Sequence, residues 1–182
     1  MKAPLDIHTH TPGKINSVFN SSPDEALPVA TLFSCGIHPC RIPKEWRSLL
    51  VEIEHRALHP MCWAIGECGL DSLSPFTLEL QTEVFEAQCR IAERMQKPLI
   101  VHCVRRIDDV LRICRPLTTQ VIIHGFRGKP QQARSLLDAG FYLSFGERFN
   151  AESYALCPPS RRLFETDESL LTIEQIIARF PK

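Results

Sequence analysis

The stretch LDIHTH, residues 5–10, sets a carboxylate and two imidazoles at alternate positions: Asp6, His8 and His10. In an extended strand alternate side chains share a face, so these three would project together. Imidazole nitrogens suit divalent transition ions, and a nearby carboxylate can orient a ligating ring. The stretch is a fragment of a metal site, and the missing ligands must come from elsewhere in the chain.

Five other polar residues sit at the ends of short apolar runs. The runs are 4–10, 29–38, 61–67, 98–103, 121–126, 141–146 and 162–167, each of strand length. His8 and His10 end the first, His38 the second, Glu67 the third, His102 the fourth, His124 the fifth and Asp167 the last. Only His55 and His59 lie elsewhere, in and after a helical pattern. In a parallel barrel the carboxyl ends of all strands converge at one mouth, where active sites are assembled. Four or five imidazoles and two carboxylates exceed the ligands one zinc ion takes. A two-metal site, with a carboxylate bridging ions about 3.5–4 Å apart, uses them better. Such a site activates water at neutral pH and neutralises charge on a displaced oxygen, so the natural output is hydrolysis of a phosphate ester, amide or ester.

The elements that must position these residues alternate along the chain. Helical spacing of apolar residues predicts helices at 43–58, 78–96, 105–114, 130–139 and 173–180, the last opened by a capping-box pattern at Thr172 and Gln175. Segments 11–28 and 150–160, rich in Asn, Ser and Pro, read as loops. Strands alternating with helices predict a TIM-like α/β barrel or an open parallel sheet, and the convergence of polar residues at the strand ends favours the barrel. Full eight-unit barrels typically need 200 or more residues. The expectation is therefore a barrel of about seven parallel strands, abbreviated at the C-terminus, in a single domain spanning 1–182. Cys68 and Cys103 neighbour the candidate ligands but alternate to the other face, and they read as packing residues, as does Trp63.

Composition narrows the function classes. Lys and Arg total 21, as do Asp and Glu, so the formal charge is zero and bulk attraction to nucleic acid is absent. No apolar run approaches the roughly 18 residues needed to cross a bilayer. The first strand is expected to begin at about Ala3, leaving no room for a signal peptide. Eight cysteines scattered through apolar segments, without C-x-x-C spacing, read as reduced small hydrophobes, and so as a cytoplasmic protein.

The order of motifs resembles the TatD family of metal-dependent deoxyribonucleases. DIHTH, GIHP (36–39), AIGECGLD (64–71), Q-x3-F-x2-Q (81–88), KPLIVHC (97–103), IIHGFRG (122–128), YLSFG (142–146) and ETD (165–167) carry the resemblance, from residue 5 to about 169. It implies a TIM-like barrel of the amidohydrolase type and two divalent ions, whether zinc, manganese or magnesium. It also implies hydrolysis of DNA phosphodiesters. By that resemblance His8 and His10 match ligands of a first metal, Glu67 the bridging carboxylate, and His102 and His124 ligands of a second metal. Asp167 matches the remaining first-metal ligand, which also accepts or orients the proton of the attacking water. His38 matches a histidine near the reacting phosphate, and Asp6 would stand behind the ligands. The chain departs from the family after ETD, where it runs into ESLLTIEQIIARF, and in the clipped SLSPF after GLD. These departures imply the loss of part of the usual substrate wall. Arg127, where a small residue is common, and Arg105 are candidates to grip phosphate oxygens. The expected partner is a single-stranded DNA end, with no membrane and no protein partner indicated. Two alternatives stay open: hydrolysis of an amide, lactone or aminoacyl ester on the same site, and a non-catalytic metal-binding protein.

Overall fold

A computed structural model describes residues 5–181. Eight strands run parallel in one sheet whose spatial order is the chain order. They are β1 (Asp6–Thr9), β2 (Ser17–Ser21), β3 (Leu32–Cys35), β4 (Cys62–Asp71), β5 (Leu99–Val104), β6 (Val121–Ile123), β7 (Tyr142–Phe145) and β8 (Arg162–Phe164). The sheet curls until its last strand meets its first. Thr9 bridges Asp167 in parallel, with Asp167 N–H donating to the His8 carbonyl at 2.9 Å and His10 N–H to the Asp167 carbonyl at 3.1 Å. The TIM-like barrel expected from the sequence is present, with one strand more than the seven anticipated.

The extra strand is β2, inside the segment 11–28 expected to be a loop. Its sequence SVFNS offers only two apolar residues, too few for a periodic signal. Val18 nevertheless packs into a small inner cluster with Ala64 and Ile100, lined by Leu32 and the half-buried Trp63. A second departure lies in 150–160, where helix α5 (Ala151–Leu156) and a 3-10 turn (Pro159–Arg161) replace the expected loop. Asn150 caps α5 through its side chain, which accepts from Ser153 N–H at 3.0 Å. The proposed strand start at Ala3 lies outside the described residues.

The other helices follow their sequence signals: α1 (Trp46–Ala57), α2 (Leu78–Met95), α3 (Ile107–Cys114), α4 (Pro130–Asp138) and α6 (Ile173–Ile177). α2 starts where Thr77 accepts from Leu80 N–H and stops at Gln96, whose φ of 52° is left-handed. Its buried stripe of Val84, Phe85, Ile91 and Ala92 faces the outside of the sheet and joins the main core with Ile65, Cys68, Leu99 and Val101. Burying one such large side chain contributes about 1.5–3 kcal/mol. Cys68 is fully buried in this core and Cys103 packs against its edge, as expected of residues facing away from the barrel interior. Phe126 is also core, edge-on to Phe145. No described helix is long and apolar enough to cross a membrane.

Candidate metal centre

Glu67 is the hub. Burial favours its protonation. Nearby His124, and hydrogen bonds with His10, His102 and His124, more than offset that and hold the carboxyl well below the ordinary range. Its two oxygens face different partners. Oε2 lies 3.4 Å from His8 Nε2 and 3.5 Å from His10 Nε2. Oε1 lies 2.8 Å from His102 Nδ1, 2.8 Å from His124 Nε2 and 3.2 Å from His38 Nε2. Asp167 Oδ1 completes the first side, 3.5 Å from His10 Nε2 and 3.8 Å from His8 Nε2. All six candidate ligands therefore meet, with His38 beside them.

The strand carrying Glu67 does not end there, as the apolar run 61–67 suggests, but continues to Asp71. Two glycines let it pass its neighbour. A Cβ on Gly66 would stand 2.5 Å from the Ile100 carbonyl oxygen, and one on Gly69 would stand 2.0 Å from that of His102. Both have φ values near +140°, which side chains rarely adopt. The G-E-C-G spacing is thus what brings Glu67 beside His102, a matter of backbone approach more than of chemistry.

Hydrogen bonds behind the rings sort the histidines. His38 Nδ1 accepts from Cys40 N–H at 3.0 Å, so in the neutral ring Nε2 carries the proton and faces Glu67 as a donor. His102 places Nε2 2.8 Å from Asp71 Oδ2 and leaves Nδ1 toward Glu67. His124 places Nδ1 3.2 Å from Glu165 Oε1 and leaves Nε2 toward Glu67. A carboxylate behind an imidazole takes its N–H and turns a lone pair inward, the arrangement that suits a ligand. His102 and His124 have that arrangement and His38 does not.

Electrostatics agree. Burial alone would lower the pKa of His124, yet Glu67 and Glu165 raise it well above the ordinary value. The bond to Glu67 raises that of His10 against burial. Carboxylates outweigh everything but the imidazoles here, so a cation would replace protons on entering.

Among the described residues the donors fall into four overlapping groups whose atoms lie within 4.8 Å: His8, Glu67 and His124; His8, His10 and Asp167; His38, Glu67 and His102; His124, Glu165 and Asp167. His8 supplies the test of fit. Both its ring nitrogens are buried without a hydrogen-bond partner, and Nε2 points at two carboxylates. Leaving such a group unpaired costs about 1–3 kcal/mol, and a divalent cation would satisfy it. These residues fit a metal.

Three contributors were missed by the sequence reading. Asp71 and Glu165 stand inside the GLD and ETD motifs, but nothing in their spacing marks them as ring partners. Asn20, on the unexpected β2, accepts from Glu67 N–H at 2.9 Å and from Ser34 Oγ at 3.3 Å, fixing the hub's backbone. Asp6 does not touch an imidazole. Its carboxylate accepts from Thr166 N–H at 3.0 Å and Thr166 Oγ1 at 2.7 Å, anchoring the turn that presents Asp167. Arg105 and Arg127 are exposed at the mouth, after β5 and β6, outside the cluster itself.

A model of the family described as TatD related DNase matches residues 12–174. A protein of Citrobacter rodentium named 3'-5' ssDNA/RNA exonuclease TatD is 34% identical over 151 residues, covering 76% of this chain and 57% of the relative. An uncharacterised metal-dependent hydrolase of Buchnera aphidicola is 32% identical over 157 residues, covering 77% of this chain and 60% of the relative. The chain spans 57–60% of the length of such curated relatives. The crystal structure of a TatD homologue from Escherichia coli K12 superposes with a TM-score of 0.67 at 21% identity, over 82% of this chain and 66% of that one. From the extent of the family match and the level of identity to these relatives, the chain belongs to the TatD-related DNase family.

Proposed function

We propose that this chain is a two-metal phosphodiesterase that hydrolyses the ends of single-stranded DNA or RNA. His8, His10 and Asp167 would hold one ion, His102 and His124 the other, and Glu67 would bridge them. The observation that carries this reading is the division of Glu67, one oxygen toward each set of imidazoles. The native ions are of the zinc, manganese or magnesium class. When bound they would supply polarisation of the phosphate and activation of water.

The chain's own residues do the rest. The Asp167 side chain, about a third exposed, is placed to accept the proton of the attacking water. His38 Nε2–H, held as a donor by Cys40, is aimed at the reacting centre and would stabilise charge on a phosphate oxygen. Asp71 and Glu165 keep His102 and His124 in the ligating tautomer. Arg105 and Arg127, exposed at the mouth, would hold flanking phosphate oxygens. The names of the exonuclease relatives support the choice of single-stranded ends. Eight free cysteines support a reducing, cytoplasmic setting for this single domain.

The test is cleavage of end-labelled single- and double-stranded oligonucleotides, DNA and RNA, by protein loaded with zinc, manganese or magnesium. Stepwise shortening of single strands is expected. If no oligonucleotide is cut while an aminoacyl ester or small amide is hydrolysed in a Glu67-dependent way, the phosphodiesterase reading fails.

A further inference from the structure

Beside Asp167 a cavity of about 330 Å³ opens between the loops that follow β6, β7 and β8. Gly125 and Arg127 line it from the first loop, Gly146, Glu147 and Arg148 from the second, and Glu165 to Ser169 from the third. Its volume is at the small end of the roughly 300–1,000 Å³ typical of ligand pockets. It shares Asp167 with the candidate metal centre, so anything bound there would sit next to the reacting group.

The charges of this cavity are not balanced as its composition suggests. Glu147 is engaged, accepting from Ser169 Oγ at 2.7 Å and from Arg179 Nη1 at 3.1 Å. Glu165 is engaged with His124, and Asp167 faces His8 and His10. Glu168, exposed on the outer lip, is the lining carboxylate without an ion pair among the described residues. Arg127 and Arg148 likewise form no ion pair among the described residues, and both are exposed. Arg148 helps keep the neighbouring Glu147 ionised and Glu168 adds one unpaired negative charge, yet neither guanidinium is tied into an ion pair, so both are free to turn toward the cavity. The glycines give it room. A Cβ on Gly125 or Gly146 would come no closer than 3.5 Å to any atom, the nearest belonging to Glu165, so absent side chains and not crowding shape this wall.

We propose that this cavity is a second phosphate subsite, where Arg127 and Arg148 together take the phosphate one nucleotide away from the bond being cleaved. Paired guanidiniums suit the several oxygens of one phosphate. The loops after the last strands of a barrel are a frequent place for such a site. The proposal rests on the phosphodiesterase reading and adds to it a defined register: one nucleoside spans from the metal centre to the arginines.

The test is binding, which needs no turnover. Affinities of metal-loaded protein for thymidine 3′,5′-bisphosphate and for thymidine 5′- and 3′-monophosphates are measured by calorimetry. The bisphosphate should bind about tenfold more tightly than either monophosphate. That advantage should vanish in Arg127→Ala/Arg148→Ala and in Gly146→Leu, which fills the cavity. It should widen in Glu168→Gln. Metal content and melting temperature serve as controls for the fold in every variant. No bisphosphate advantage in the native chain, or an undiminished one in the double arginine variant, overturns the subsite. Failure to cut any oligonucleotide, with the bisphosphate advantage intact, would instead overturn the nuclease reading and leave a phosphate-binding site standing.

Discussion

Glu165, fully buried, meets Nδ1 of His124 at 3.2 Å, while the opposite nitrogen of the same ring lies 2.8 Å from Glu67. The ring is thus held between a carboxylate that fixes its proton and one that shares its target. Glu165 stands two residues before Asp167, on the turn that closes the barrel against β1. One short segment therefore orients a candidate ligand on one side and contributes another on the other.

Glu165→Gln should weaken binding of one ion by about 10–100-fold, because an amide can present its NH2 to His124 and favour the wrong tautomer. Chelator competition measures this directly. Equal affinity for both ions in the variant and the parent would show that Glu165 does not position the ring.

His38→Ala should keep both ions and lose turnover, since the bond from Cys40 leaves its inward nitrogen a donor. Elemental analysis beside a cleavage assay separates the two effects. A drop of one ion per chain would make His38 a ligand and reassign the tautomer.

Gly69→Ala should destabilise the chain by roughly 3 kcal/mol or more, from a left-handed backbone and a hard contact combined. The new Cβ would lie 2.0 Å from the His102 carbonyl oxygen. Urea unfolding with metal chelated reads it out, and a variant as stable as the parent would contradict the close approach of β4 to β5.

Thiol labelling should be slow. Burial pushes the thiol of Cys35 up to about 12, and those of Cys62 and Cys103 up to about 11. At pH 8 these remain protonated and unreactive toward iodoacetamide in the folded chain, and become reactive in urea. Rapid labelling of Cys35 under native conditions would place it outside the core.

The sequence discloses the parts of this centre unequally. The alternating DIHTH, the histidines closing four of the seven apolar runs, Glu67 closing another and the ETD turn make the centre legible, because strand periodicity fixes which face each side chain takes. β2 is not legible: Ser17 and Ser21 are buried polar residues, and Asn20 acts on the Glu67 backbone, so the strand carries a supporting role in place of a hydrophobic pattern. The partners Asp71 and Glu165 are hidden for another reason. The register of β4 and β5, which shifts between Ile65 and Cys68, sets Gly69 opposite His102 and Asp71 opposite Val104, so Asp71 meets the His102 ring from two residues further along the strand. Glu165 reaches His124 only because β7 and β8 curl the sheet closed. Spacing along the chain encodes neither relationship.

Whether Glu67 joins two ions is decided by metal stoichiometry. The native chain, loaded with manganese or zinc and desalted, should hold two ions. Glu67→Ala should lose occupancy at both sites and fall well below one ion per chain, with His124→Ala losing mainly one. Two ions retained by Glu67→Ala would contradict the bridge, whatever the activity of the variant.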